Sequence, residues 1–167
     1  MVDKAVHSVY PPESLFGFVY FSLAIPPFRP SNMLILGYGQ GTIAGLTRKI
    51  WGNDVKILGI DRTMPEVKWH GDTFLQMDAK EFVDKYIEKY DLFDYIVLDL
   101  YNGNNICEFQ FEESFVQKLS ERCSLRLSIN IPYDYIDDYK DFIYTKKFDL
   151  ELLKQVAGQD VLFVKKK

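Results

Sequence analysis

Short apolar runs alternate along this chain with stretches whose apolar residues fall three and four apart. Met33 to Leu36 is a run of the buried-strand kind, ended by glycines. From Thr42 onward Ile43, Leu46, Ile50 and Trp51 share one helix face, which Gly52-Asn53 stops. Val55, Ile57, Leu58 and Ile60 predict a second strand ending at Asp61. After a loop carrying Pro65, a third short strand runs from Phe74 to Met77 and ends at Asp78. Ala79 to Tyr90 predicts a helix with Phe82, Val83, Tyr86, Ile87 and Tyr90 on one face. Tyr95 to Leu98 gives a fourth strand ending at Asp99, and Glu112 to Arg122 a further helix. Leu125, Leu127, Ile129 and Ile131 alternate as a fifth strand, and Tyr135 to Tyr144 is a weaker helix. Phe148 to Val156 and Val161 to Val164, turning around Gly158-Gln159-Asp160, predict a closing antiparallel hairpin.

Strands separated by helices imply right-handed crossovers, and so an α/β, Rossmann-like, mostly parallel sheet with helices on both faces. Parallel strands bring their carboxyl ends to one edge, where open α/β sheets bind ligands. The loop after the first strand and the strand-end acids Asp61, Asp78 and Asp99 are therefore predicted to converge.

Composition narrows the possibilities. A chain of 167 residues predicts one domain over residues 1–167, with residues 1–30 as an N-terminal extension. Its apolar stretch Leu15 to Ile25 ends at Pro26-Pro27 and falls short of the ~20 residues a membrane span needs. It predicts a docking helix, which serves a core or a homodimer equally well. At 47% hydrophobic and 26% charged, the chain is too apolar for disorder. A net charge of −4 with no basic stripe argues against nucleic acid as a partner, and Lys165, Lys166 and Lys167 read as a solvated tail. Cys107 and Cys123 lack the spacing of a zinc site or a disulfide framework, which fits a reducing cytoplasm. The first residues have no apolar leader core, so neither export nor a membrane is expected. The acids Asp134, Asp137, Asp138 and Asp141 read as a solvated helix face, and no metal site is predicted.

The first loop reads Leu36-Gly37-Tyr38-Gly39-Gln40-Gly41-Thr42. Glycines there permit a tight strand-to-helix turn and the close approach of a ligand to the backbone. A dinucleotide fingerprint wants a third glycine or alanine where Thr42 stands, which keeps an NAD-linked oxidoreductase only as a third reading. An acid ending strand two, as Asp61 does, accepts hydrogen bonds from a ribose diol, and Asp78 is placed to accept one from an adenine amino group. Carboxylates without Lys or Arg beside the loop favour a cationic ligand over a pyrophosphate. A sulfonium such as S-adenosylmethionine meets that requirement. Each acid has a structural alternative: Asp61 ends a strand, Asp78 caps the helix that opens Ala79-Lys80-Glu81, and Asp99 organises the turn Tyr101-Asn102-Gly103.

The stretches Asn32 to Gly41, Leu58-Gly59-Ile60-Asp61, Met77-Asp78-Ala79 and Asp94 to Asp99 together resemble the class I S-adenosylmethionine-dependent methyltransferases, and within them the spermidine synthase-like branch. The likeness runs from about Tyr20 to Ile131 and rests on the order and spacing of all four motifs. It implies a seven-stranded sheet of order 3-2-1-4-5-7-6 with the last strand antiparallel. It also implies that Gly37, Gly39 and Gly41 line the methionine end of the cofactor, with Tyr38, Gln40 and Arg62 among its contacts. Asp61 would hold the ribose, Asp78 and Ala79 the adenine, and Asp99 would face the sulfonium.

The departures bear on the reaction. The aspartate of the spermidine synthase glycine loop falls on Gln40, and the second aspartate of its strand-four motif falls on Asn102. Both carboxylates contact the amine in that branch, and amides neither deprotonate an amine nor hold an ammonium well. Its Tyr-His-Glu signature before strand one is missing, and Gly59 stands where that branch has an acid. The expectation is a small methyltransferase with Asp99, then Tyr101, as candidates to orient or deprotonate a small-molecule acceptor. Tyr10-Pro11-Pro12 and Tyr133-Asp134-Tyr135 are candidate walls for that acceptor. The alternatives are an aminopropyltransferase and a non-catalytic adenosine-binding module. The short Asp61 to Phe74 connection and the lack of an acceptor motif after Asp99 favour the module.

Overall fold

The computed structural model describes residues 25–66, 69, 71–103, 105–132, 142–156 and 159–167. The expected helix Leu15 to Ile25, all but its last residue, lies outside them. So do the Tyr10 and Tyr133 segments, the acidic run, most of the weak helix before Tyr144, and Gly158.

Seven strands form the main sheet: β1 Asn32–Leu36, β2 Lys56–Asp61, β3 Asp72–Gln76, β4 Phe93–Leu98, β5 Cys123–Pro132, β6 Phe148–Val156 and β7 Gln159–Lys166. Their order is β3-β2-β1-β4-β5-β7-β6, with β3, β2, β1, β4 and β5 parallel and β7 antiparallel to both its neighbours. This is the topology the sequence resemblance implies. Helix α1 Thr42–Trp51 follows β1, α2 Ala79–Lys85 follows β3, and α3 Glu113–Arg122 precedes β5.

Strand alternation divides the core in two. Leu34, Leu36, Leu58, Ile60, Ile96, Leu98, Leu127 and Ile129 project to one face, where Phe82 and Val83 of α2 and Phe115, Val116 and Leu119 of α3 cover them. Met33, Ile35, Ile57, Tyr95 and Val97 project to the other, under Ile43, Ala44 and Leu46 of α1. A strand buried on both faces reads as a continuous apolar run, which is why β1 and β4 stood out in the sequence. Phe28 meets Tyr95 edge to face at 5.8 Å, and the Trp51 indole donates to the Pro26 carbonyl at 3.1 Å, so the chain before β1 docks on the α1 side.

Several boundaries differ from expectation. Strand β7 takes in Gln159 and Asp160, expected in the turn, and Lys165 and Lys166, expected in a solvated tail; the Lys166 ammonium donates to the Ser120 carbonyl. The helix expected to Tyr90 ends at Lys85, and a 3-10 turn, Ile87–Lys89, follows. Tyr86, with φ of −126°, breaks the helical path, and the change of direction carries Ile87 into the core. Strand β3 begins at Asp72 rather than Phe74, because a fully paired acid occupies a position that apolar periodicity cannot detect. Tyr101 and Asn102, expected in a turn with Gly103, form one arm of a small antiparallel hairpin and pair with Asn105–Ile106. No helix among the described residues is long and apolar enough to cross a membrane.

Candidate functional site at the carboxyl edge of the sheet

The β1–α1 loop is held from both sides. Gly37 and Tyr38 donate their amides to the Ile60 carbonyl at 2.9 and 3.1 Å, and the Asp99 amide donates to the Leu36 carbonyl at 2.9 Å. Gly37, Gly39 and Gly41 all have positive φ, a conformation that costs glycine little. At Gly37 the requirement comes from β4: a Cβ there would lie 2.0 Å from the Asp99 carbonyl oxygen. At Gly41 it would meet the Trp69 indole and the Tyr38 hydroxyl. The first and last glycines are thus fixed by packing within the chain as well as by any ligand.

Tyr38 is one of the residues expected among the cofactor's contacts. Its side chain turns away from the rim, is 2% exposed, and lies where Gly59 leaves room for the ring. Its hydroxyl donates to Asp72 Oδ2 at 2.7 Å, and Arg48 of α1 pairs with Asp72 Oδ1, its Nε at 2.8 Å. Burial, then the hydrogen bond to Asp72 and its charge, hold the Tyr38 hydroxyl far above its ordinary range. The side chain locks loop, helix and β3 together, leaving only main chain of Tyr38 for a cofactor. Gly59 belongs to the same arrangement: an acid there, as in the spermidine synthase branch, would displace the tyrosine ring.

Asp61 ends β2 with both oxygens directed into loops. Oδ2 accepts from the Gly39 amide at 2.8 Å, and Oδ1 accepts from the Thr63 amide at 2.9 Å. Its neighbour Arg62 is exposed and accepts, through its carbonyl, the Gln76 side-chain amide at 3.0 Å. Gln40 Oε1 accepts from the Glu66 amide at 2.8 Å, tying the glycine loop to the segment after β2. Asp78 caps α2, its Oδ1 accepting from the Lys80 and Glu81 amides at 2.8 and 3.2 Å. The structural alternative for Asp78 is therefore present, and Ala79 beside it is buried in the core.

Asp99 stands across the loop from Asp61. Burial first, and then the negative charge of Asp61, push its carboxyl up from 3.8 to about 6, while the hydrogen bond from Asn130 opposes the rise. That bond, Asn130 Nδ2 to Asp99 Oδ1, is 2.6 Å long. Tyr101 is half-buried close enough to feel the Asp99 charge. Burial chiefly, and Asp99 in addition, raise its hydroxyl far above the usual range, so it is a hydrogen-bond donor rather than a base. Cys107 lies within electrostatic reach of both Arg62 and Asp78, and burial raises its thiol.

The structure thus brings Asp61 and Asp99 together at the glycine loop, with Tyr101 near Asp99 and Asp78 engaged at its own helix. Asn130 was not anticipated. It sits near the carboxyl end of β5, where Leu98 pairs with Ile129, so the next residue of each strand falls at the same edge. The signal in the sequence was a polar residue between Ile129 and Ile131. Its value became visible only once β5 was known to lie beside β4.

No family model matches the chain, and no curated protein is similar to it in sequence. Solved structures do match. A proposed S-adenosylmethionine-dependent methyltransferase from Streptococcus mutans has a TM-score of 0.67 at 10% identity, covering 91% of this chain. The chain spans only 49% of that protein's length. Ribosomal protein L11 methylase from Lactobacillus delbrueckii subsp. bulgaricus gives 0.65 at 15% identity, over 88% of this chain and 76% of that one. A spermidine synthase bound to the transition-state analogue AdoDATO gives 0.63 at 16% identity, over 90% of this chain and 61% of that one. With its strand order, its glycine loop and these neighbours, the chain has the class I S-adenosylmethionine-dependent methyltransferase fold.

Proposed function

We propose that this chain binds S-adenosylmethionine at the carboxyl edge of its sheet and transfers the methyl group to a small-molecule acceptor in the cytoplasm, without nucleic acid or membrane as partner. The observation that carries this reading is the pair of acids at the glycine loop: Asp61 hydrogen-bonded to the Gly39 amide, and Asp99 desolvated beside it. Among the described residues no basic side chain contributes to the Asp99 shift, and the one charge that does contribute, on Asp61, is negative. A sulfonium relieves that charge, whereas a pyrophosphate would add to it. Several similar structures, N-acetylserotonin methyltransferase among them, were solved with S-adenosylmethionine or S-adenosylhomocysteine bound.

When bound, the cofactor supplies a methyl group already activated on sulfur. The chain's own task is then to hold two reactants in line, which is worth several orders of magnitude in rate. Asp61 takes the ribose hydroxyls, and Asp99 faces the reacting end, where it orients the acceptor. Polyamine aminopropylation fits less well. Gln40 uses its side-chain oxygen on the Glu66 amide, and Asn102 offers an exposed amide in place of a carboxylate.

Thermal unfolding at fixed protein concentration, with S-adenosylmethionine, S-adenosylhomocysteine, the decarboxylated cofactor, methylthioadenosine and NAD, tests the reading. A ligand at a hundred times its dissociation constant adds about 2.7 kcal/mol. Stabilisation by the first two, followed by transfer of labelled methyl into an extract of small molecules, is the expected result. Stabilisation by NAD alone overturns it, and binding without any turnover reduces the protein to a non-catalytic module.

A further inference from the structure

Asn130 is 6% exposed and spends its amide nitrogen on Asp99, while its own Oδ1 is buried with no hydrogen-bond partner among the described residues. Leaving a buried amide oxygen unpaired is unfavourable, and an apolar residue there would avoid the cost. A residue selected only for packing at the centre of a sheet would be Val or Leu. What the asparagine provides in return is one donor, directed at one oxygen of one carboxylate.

We propose that Asn130 is a positioning residue: its amide pins Asp99 Oδ1, favours the carboxylate form, and leaves Oδ2 to receive a proton from a protic acceptor, an amine or a hydroxyl. The acceptor part rests on the methyltransferase reading above; the Asn130–Asp99 relationship does not. The groups that face Asp99 are Asp61 from the end of β2, Tyr101 from the small hairpin and Asn130 from β5. Asp61 repels the charge, Tyr101 stays protonated, and Asn130 is the group that favours ionisation. In the proton transfer, the N–H or O–H bond of the acceptor breaks and its electron pair stays on the nucleophilic atom. The proton forms an O–H bond at Asp99, which becomes neutral. An acceptor that attacks without shedding a proton, such as a thioether, has no use for this arrangement.

The test is made on the ligand-free protein by carboxyl NMR titration, with the Asp99 signal assigned from Asp99→Asn. Asn130→Leu, close in size but without a donor, is expected to move the Asp99 midpoint upward by about one unit or more, and Asn130→Ser, which keeps a donor, by less. In the wild type, the Asn130 side-chain amide signals are expected to titrate with the Asp99 midpoint, a readout that needs no variant to fold. An Asp99 midpoint unmoved in a folded Asn130→Leu protein, or an Asn130 amide indifferent to Asp99's titration, overturns the proposal. Loss of stability alone in Asn130→Leu marks a structural residue and overturns it too. Because no cofactor is present, these outcomes stand whether or not methyl transfer is found. If transfer is found, its rate against pH should fall below the Asp99 midpoint, with the fall displaced to higher pH in Asn130→Leu. A pH profile identical in the two proteins counts against the protic-acceptor part.

Discussion

Gly37 and Asp99 are in contact through their main chains, so the glycine that opens the β1–α1 loop is matched to the residue that closes β4. Any side chain at 37 would collide with the Asp99 carbonyl, 2.0 Å from where Cβ would lie, and would also have to accept a φ of 89°. Gly37→Ala is therefore expected to destabilise the protein by about 3 kcal/mol or more, because main chain cannot yield as a flexible side chain can. Urea unfolding measures this. A loss under 1 kcal/mol would mean that β1 and β4 separate at this end without much resistance.

The Tyr38 hydroxyl serves a buried ion pair, not the rim. Tyr38→Phe removes one donor from Asp72 and should lower stability by about 2 kcal/mol, as for hydrogen bonds to charged groups. Cofactor affinity should remain within about twofold of wild type. Arg48→Met should cost more, about 3–5 kcal/mol, because it leaves the Asp72 carboxylate buried without its cation. If calorimetry shows a large loss of S-adenosylmethionine affinity in Tyr38→Phe without a matching loss of stability, the side chain reaches the ligand after all.

These residues also show what could be read in advance. The two-sided burial of β1 and β4 made their apolar runs continuous, and the period change at Thr42 marked the first helix. The Asp78 cap was legible because capping is local, depending on residues two and three positions on. The strand order came from resemblance, since crossovers join strands far apart in sequence. The direction of Tyr38, the start of β3 at Asp72 and the role of Asn130 share a cause. Each depends on a partner on another strand or helix, and single-chain periodicity carries no information about which strands adjoin. Gly59 could be recognised as a departure from the spermidine synthase pattern, but not as the space that admits the Tyr38 ring.

Asp99 should lower the stability of the protein at neutral pH. Its carboxyl is raised from 3.8 to about 6 on folding, so between those values the folded chain retains a proton that the unfolded chain releases. Stability from this group is present at low pH and falls as pH rises through the window from about 4 to about 6. Asp99→Asn removes the titration and keeps an oxygen for the Asn130 amide. Relative to wild type it should gain on the order of 2 kcal/mol at pH 7.5 and little at pH 4.5, while transferase activity disappears. Urea unfolding at the two pH values checks the sign. An equal gain at both would assign the effect to packing rather than charge.

Asp61 touches the glycine loop and acts on Asp99, and under the proposed function it also holds the cofactor, so one substitution should move three readouts together. Asp61→Asn keeps an oxygen that can accept from either the Gly39 or the Thr63 amide, but not both as the carboxylate does. The loop should loosen, and the ribose hydroxyls should lose a charged acceptor, weakening S-adenosylmethionine by about tenfold or more in calorimetry. With its negative neighbour gone, the Asp99 carboxyl should titrate lower than in wild type, because the Asp61 charge is one of the two causes that raise it. A weaker cofactor with Asp99 unmoved would place the two acids too far apart to share a ligand. Asp99 shifted with cofactor affinity intact would leave the acids paired at the rim but take Asp61 away from the ribose.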